Sequence, residues 1–344
     1  MAGIEDVAKL AGVSIATVSR ALSGKPNVSP RSRQKVEDAA KQLGYIASSS
    51  AYTLATGRNR NIGVVMPYID RWFFGAFLES AETSLVQSGY DLTLYNLNGG
   101  QEQRQKIFSE FLLRQRVDAV LAVAVAPSNQ ELELLNRMKK PILAIGGHIE
   151  GARSLVMDDR AAGRLATEHL ISLGHTRIAN INGLETSDKE FNQPNLRHTG
   201  YVEALKAAGL EVKQAWMARA DFTLQSAYVV AKQMLGDPHN APTAIFCNSD
   251  EMAFGAIMAA KDLGLQVPTD VSVIGIDNHD MSDFFDLTTV NQNVRGQGTM
   301  AVQILLELLE DPELEEHVNI EEQFDWHPEL LVRGSTARPP HTSR

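Results

Sequence analysis

From Asn61 onward the chain alternates short β-branched apolar runs with amphipathic stretches of helical period. The runs fall at Ile62–Met66, Asp91–Tyr95, Ala119–Val125, Ile142–Ile145, Ile178–Ile181, Ala244–Cys247 and Ser272–Ile276. Between them lie helical patterns over Phe74–Ser88, Glu102–Gln115, Ala161–Leu173, Leu196–Ala208, Leu224–Leu235 and Glu251–Leu263. Four of these stretches close on a glycine, at Gly89, Gly174, Gly209 and Gly264, the residue that most easily takes the left-handed turn ending a helix. Strands alternating with helices predict parallel sheets covered on both faces. Residues 61–340 are more than one doubly wound sheet usually needs, so two α/β subdomains are expected, with a ligand cleft between them.

The first sixty residues carry a different pattern. A short helix is expected over Ile4–Ala11, with Val7, Leu10 and Ala11 on one side. Gly12 supplies a turn, and Ser14 caps a second helix running to about Leu22. Ser29-Pro30 opens a third, which ends before Gly44 and covers the first two with Val36, Ala39, Ala40 and Leu43. Small Ala8, flexible Gly12 and branched Val18 are the order that two short helices need to cross steeply over a tight turn. Such a helix-turn-helix lays its second helix in the major groove of DNA. Arg20 can then donate two hydrogen bonds to a guanine edge, and Ile15 and Ala16 make apolar contacts such as with a thymine methyl. Ser14, Thr17 and Ser19 suit phosphate oxygens.

Charge sharpens that division. The chain carries a net −10, yet residues 1–60 hold nine Lys or Arg against four Asp or Glu, a net +5 that leaves −15 for the rest. A basic head on an acidic body points to phosphate contact by the head alone. One cysteine, Cys247, leaves no intramolecular disulfide and argues against a cysteine metal cluster. No run of eighteen apolar residues and no secretion-type start occur, so a cytoplasmic protein without a membrane span is expected, with no cofactor and no metal. Neither a dinucleotide fingerprint, a phosphate-binding loop, a zinc-protease helix nor a nucleophile elbow is present, which speaks against an enzyme.

The N-terminal segment, with its VAxxAGVSxxTVSR core and the SPxxRxKV start of the third helix, closely resembles the headpiece of the LacI family of transcription regulators. The resemblance continues through VMDDRAAGRLATEHLISLGHTRIANI (156–181), LRHTGYVEAL (196–205), PTAIFCNSDEMAFG (242–255), VPTDVSVIGIDN (267–278) and HPELLVRGST (327–336), and so covers nearly the whole chain. It implies a headpiece over 1–46, a hinge helix and linker over 47–60, and a sensor over 61–340 similar to periplasmic sugar-binding proteins. Three chain crossings would divide that sensor into a first subdomain (about 61–159 and 290–320) and a second (about 160–289 and 321–340). The hinge helix of the family inserts a leucine into the minor groove, and Leu54 matches it, an apolar wedge suited to kinking DNA. Two features depart from the family: Ala47 and Ser48 stand where Pro and Asn usually follow the tyrosine, and Tyr52 replaces a polar or basic residue.

In the sensor the resemblance implies that Arg197, Asp277 and Phe222 meet the effector, with Phe73 and Phe74 from the first subdomain. Asp70 and Trp72 are looser matches. Ser249 and Asp250, at the end of a strand, are expected to support the site, Asp250 as a contact. A carboxylate and a guanidinium can each hold two hydroxyls of a polyol at once. His175 is expected to be structural, and His148 is a weaker candidate for the cleft. The whole reads as a dimeric repressor that binds an inverted-repeat operator under control of a sugar-like effector. A corepressor-dependent, purine-type repressor or an activator of the same family is the alternative. A free sugar-binding protein is the remote one.

Overall fold

A computed structural model describes residues 2–22, 27–45, 53, 56–98, 100–184, 192–310 and 323–340, with the backbone alone at 323–326. They fall into two compact units: residues up to Asn61 together with Arg116–Asp118, and the remainder.

In the first unit, helices α1 (Ile4–Ala11), α2 (Ile15–Leu22) and α3 (Pro30–Leu43) form as the spacing predicts. Gly12 ends α1 at φ 65°, and Ser14 caps α2 by accepting the Thr17 N–H at 3.1 Å. Ser29 caps α3 in the same way through Ser32 N–H, with Pro30 at the first helical position. The core is built from small side chains: Val7, Val18 and Val36 are fully buried among Ala8, Ala11, Ala21, Ala39 and Ala40. Burial of each valine contributes on the order of 1.5–3 kcal/mol. Arg33 donates to the Ala21 carbonyl at 2.5 Å, satisfying an orphan acceptor at the end of α2. The linker residues Asn59 and Arg60 both give their backbone N–H to the Asp118 carboxylate, at 2.9 and 2.7 Å. Leu54, the expected wedge, lies outside the described residues.

The second unit holds two six-stranded sheets. The first contains β1 (Asn61–Met66), β2 (Asp91–Asn96), β3 (Ala119–Val123), β4 (Ile142–Ile145), β5 (Arg153–Met157) and β11 (Gln323–Trp326), in the order β11-β5-β4-β3-β1-β2. The second contains β6 (Ile178–Gly183), β7 (Met217–Ala220), β8 (Ala244–Cys247), β9 (Ser272–Asp277), β10 (Thr288–Asn291) and β12 (Glu329–Leu331), in the order β12-β10-β9-β8-β6-β7. The inner pairings of both sheets are parallel, and the short edge strand β12 runs antiparallel to β10. Strands β3, β4, β8 and β9 are buried along their whole length, which is why they read as unbroken apolar runs.

Helices α4 (Trp72–Gln87) and α11 (Val294–Glu310) pack together in the core of the first subdomain, which gathers Phe77, Leu85, Leu121, Leu143, Val302 and Leu305. In the second, α7 (Asp159–Ser172) lies against α8 (Gln193–Ala207), and α9 (Leu224–Leu235) against α10 (Asp250–Asp262). The chain passes between the sheets three times: after β5, after β10 and after β11. The last crossing falls between Trp326 and Glu329, not near residue 321, because β11 pairs with β5 of the first sheet. The expected helix over Glu102–Gln115 is also broken. Helix α5 (Gly100–Lys106) widens to a π turn at Ile107–Phe111 and tightens to a 3-10 turn at Leu112–Arg114, and α6 (Asn129–Arg137) follows β3. The change of pitch keeps Ile107, Phe108 and Leu112 all buried.

Candidate DNA-binding and effector-binding sites

On the headpiece, α2 buries Val18 and Ala21 and turns Ile15, Ala16, Ser19 and Arg20 outward. Ile15 is 47% exposed, a branched aliphatic that nothing in this unit covers fully. Ser14 and Thr17 are joined hydroxyl to hydroxyl at 2.9 Å, so Ser14 already serves the helix as its cap. Leu10 on α1, 47% exposed, was expected on the packed side of the helix and instead faces outward.

In the sensor, a cavity of about 870 Å³, its open mouth included, lies where strands of both sheets end. The second subdomain supplies its charged wall. Arg197, on the first turns of α8, is 8% exposed and donates through Nε to Asp159 Oδ1 at 2.7 Å and through Nη1 to the Asn248 carbonyl at 2.6 Å. Asp158 caps α7 by accepting Ala161 N–H, which leaves the next residue, Asp159, to point inward. Burial pushes the Asp159 carboxyl up, and the Arg197 charge opposes that rise. Asn248 is itself held in a buried amide ladder, receiving from Asn180 and donating to the Pro194 carbonyl at 3.1 Å.

Asp277 ends β9 with φ 137°, a conformation L-residues rarely adopt, and Phe222 sits at φ 64°. Both line the cavity. Backbone outliers of this kind cost of order 1–3 kcal/mol each and concentrate at functional sites. Asp277 accepts a short hydrogen bond from Gln292 and a long one, 3.4 Å, from the Asp250 N–H. Burial and the neighbouring Asp250 charge push its carboxyl well above the usual range.

The first subdomain supplies an aromatic wall. Phe73 and Phe74 meet edge to face at 5.2 Å, Tyr68 lies 5.8 Å from Phe74, and the Arg71 guanidinium stacks 3.9 Å above the Tyr68 ring. A clasp outside the cavity joins the two subdomains. The Trp72 indole stacks on His279 at 4.7 Å and donates to Asp280 Oδ2 at 3.0 Å. Arg295 of α11 grips the same carboxylate at 2.9 and 3.0 Å.

The structure thus brings Arg197, Asp277, Phe222, Phe73, Phe74 and Ser249 to one cavity. Asp250 is a correction: it is fully buried beneath the wall and does not line the cavity. Its carboxylate accepts from Thr289 at 2.6 Å, Ser282 at 2.7 Å and the His279 N–H at 2.9 Å, so it braces the loop after β9. The next residue, Glu251, faces the cavity instead, because one step along a helix turns the side chain by about 100°. Burial raises its carboxyl, while a hydrogen bond from the Trp72 main chain lowers it. Asp70 and His148 are exposed and do not line the cavity. His175 is buried among Thr243, Ser272 and the Ala337 carbonyl, a structural anchor. Sequence reasoning did not single out Asp159, Glu251, Gln193, Gln292 and Gln297; the Asp-Asp and Asp-Glu doublets were the available signals for the first two.

Gly163 on α7 and Gly200 on α8 hold the two helices at backbone contact. A Cβ on Gly163 would sit 2.0 Å from the Arg197 carbonyl oxygen, and one on Gly200 would sit 2.1 Å from that of Arg160.

A helix-turn-helix followed by a two-sheet sensor with a charged cavity defines a ligand-responsive DNA-binding regulator. The model of bacterial regulatory proteins of the lacI family matches residues 3–48, and that of the periplasmic binding protein-like domain matches residues 167–336. The chain is 33% identical to the HTH-type transcriptional repressor PurR of Vibrio vulnificus over 98% of its own length and 99% of the relative's. Among solved structures it resembles the lac repressor dimer bound to operator and the anti-inducer ONPF, at 27% identity and a TM-score of 0.81, covering 98% of this chain and 99% of that one. It also resembles a complex of the transcriptional regulator CelR with cellobiose, at 26% identity and a TM-score of 0.69, covering 97% and 100%. The chain belongs to the LacI family, as a DNA-binding repressor with an effector-binding sensor. No helix among the described residues is long and apolar enough to cross a membrane.

Proposed function

We propose that the protein acts in the cytoplasm as a homodimeric transcriptional repressor, reads an inverted-repeat operator through α2, and changes its grip when a sugar-like effector fills the sensor cavity. It performs no chemistry on that effector. The observation that carries this reading is the cavity itself: a paired guanidinium and carboxylates on one wall face aromatic rings on the other, the combination that clamps hydroxyls while stacking a pyranose ring. The relative in complex with cellobiose supports a saccharide. Within this reading Arg20, Ile15 and Ala16 touch base edges, Ser14, Thr17 and Ser19 approach phosphates, and Leu54 wedges the minor groove. The resemblance to repressors named PurR keeps a corepressor sign in play, and the sign is what the experiment reads.

Operator sites are selected from random DNA with the full chain, and affinity is then measured with and without a saccharide panel. Arg20→Ala costs about 1–3 kcal/mol on the selected site and relaxes preference at one base pair of each half-site. Equal loss on every sequence would reduce Arg20 to a phosphate contact. Leu54→Ala lowers both affinity and DNA bending in a circular-permutation gel assay. An inducer weakens operator binding and a corepressor strengthens it; a panel without any effect on a binding-competent protein removes the saccharide reading.

A further inference from the structure

The polar groups of the cavity are unevenly committed. Three carboxylates, Asp159, Glu251 and Asp277, line it against two guanidiniums, Arg71 and Arg197. Arg197 is already neutralised by Asp159 and tied to a carbonyl. Arg71 lies over the Tyr68 ring and within the field of Glu251 and Asp221. The amides of the wall spend N–H groups inward: Gln193 on the Gly146 carbonyl at 2.8 Å, Gln297 on the Gln292 carbonyl at 2.7 Å, and Gln292 on Asp277. What the wall has left for a guest is mainly acceptor oxygen and negative charge.

We infer that the sensor selects its effector by charge as well as by shape, taking an unphosphorylated, hydrogen-bond-donating polyol or amino sugar and rejecting the phosphorylated or carboxylated form of the same molecule. This rests on reading the cavity as the effector site. Hydroxyls and ammonium groups donate to the carboxylates and amide oxygens. A phosphate monoester brings only acceptors and close to two negative charges, and it meets Asp277 and Glu251 with Arg197 already paired to Asp159 and Arg71, stacked on Tyr68, left to oppose them. The protein therefore responds to a sugar before a kinase-type reaction has acted on it, or after a phosphatase-type one.

The test uses the full chain and two arms. In the first, calorimetry compares ribose with ribose 5-phosphate, cellobiose with its 6-phosphate, and glucose with glucosamine and glucose 6-phosphate. A neutral or amino member that binds at least a hundredfold more tightly than its phosphate supports the inference. A phosphate that binds equally or better overturns it and leaves the effector site intact. In the second arm, sulfate is titrated at constant ionic strength while thermal unfolding is followed, with Arg71→Gln/Arg197→Gln as the baseline for non-specific salt effects. Wild type gains nothing over that baseline, whereas Asp159→Asn, which frees Arg197, gains several degrees that vanish in Asp159→Asn/Arg197→Gln. Sulfate protection of the wild type over that baseline, through Arg197 or Arg71, or no protection of Asp159→Asn, overturns the inference. Silence of the whole sugar panel counts against the saccharide reading under Proposed function, and the sulfate arm then decides charge selection alone. Should Asp159→Asn fold poorly, direct calorimetry of sulfate on wild type decides the same question.

Discussion

Strand-to-helix turns of the first sensor subdomain reach the cavity with Tyr68, Phe73 and Phe74, whereas those of the second reach it with Asp159, Ser249, Glu251 and Asp277. The two sheets share a parallel winding and place their walls at the same strand ends, so the contrast is one of chemistry on similar scaffolds. The second wall is braced from within: its ion pair, amide ladder and strained strand end all close inside one subdomain. The first wall is held by ring contacts and one cation–π stack, interactions that tolerate small shifts. On the proposed reading, recognition by preorganised charge and by aromatic stacking is divided between the two halves of the cleft.

The largest test of that contrast is Arg197→Ala. It leaves Asp159 buried without its partner, and breaking such a pair typically costs about 3–5 kcal/mol, read as lost sensor stability in denaturant unfolding. The Arg197→Ala/Asp159→Ala double variant should recover much of that loss while staying blind to effector. If the single variant unfolds like wild type, the second wall is not preorganised by this pair.

Phe73→Ala should do the opposite. Effector affinity falls by about two- to twelvefold, from the loss of a stacking partner worth roughly 0.5–1.5 kcal/mol, while the unfolding transition moves less than in Arg197→Ala. A large stability loss would make the first wall as rigid as the second.

Asp277→Asn sharpens the comparison through pH. Burial and Asp250 raise the Asp277 carboxyl, so the folded state favours its protonated form. That contribution is fully present at pH values below the ordinary carboxylate range and is lost as pH rises through the raised value. The variant should therefore be more stable than wild type at pH 8 and indistinguishable from it near pH 4. A gain that persists at low pH would place the cause elsewhere. The smallest effect belongs to the clasp: Asp280→Asn weakens an exposed Trp72–Asp280–Arg295 contact, for which about 0.2–1 kcal/mol is typical, and its unfolding curve should become less sensitive to salt.

Much of this was written in local pattern. Short apolar runs between amphipathic stretches, four of them closed by a glycine, marked the β-α alternation, and the Ala8, Gly12 and Val18 spacing marked the headpiece, because both depend on residues a few positions apart. The site was harder to read. Asp250 and Glu251 are neighbours with the same charge, and only the rotation of α10 decides which one meets the cavity. Asp159 gains its meaning from Arg197, 38 positions away, and that proximity exists only once α7 and α8 have packed. The late return of β11 to the first sheet was hidden for a related reason: a four-residue strand at a sheet edge has too few positions to establish a period.

The backbone contact at Gly163 and Gly200 has a consequence for heredity more than for chemistry. Position 163 offers nothing to a guest, yet a single methyl there would push against the carbonyl of Arg197 and tilt the helix that aims its guanidinium. A genetic screen for regulators deaf to their signal would then return position 163 beside 197 and 277, with identical phenotypes. Colonies alone would not separate the residue that hears from the one that holds it in place.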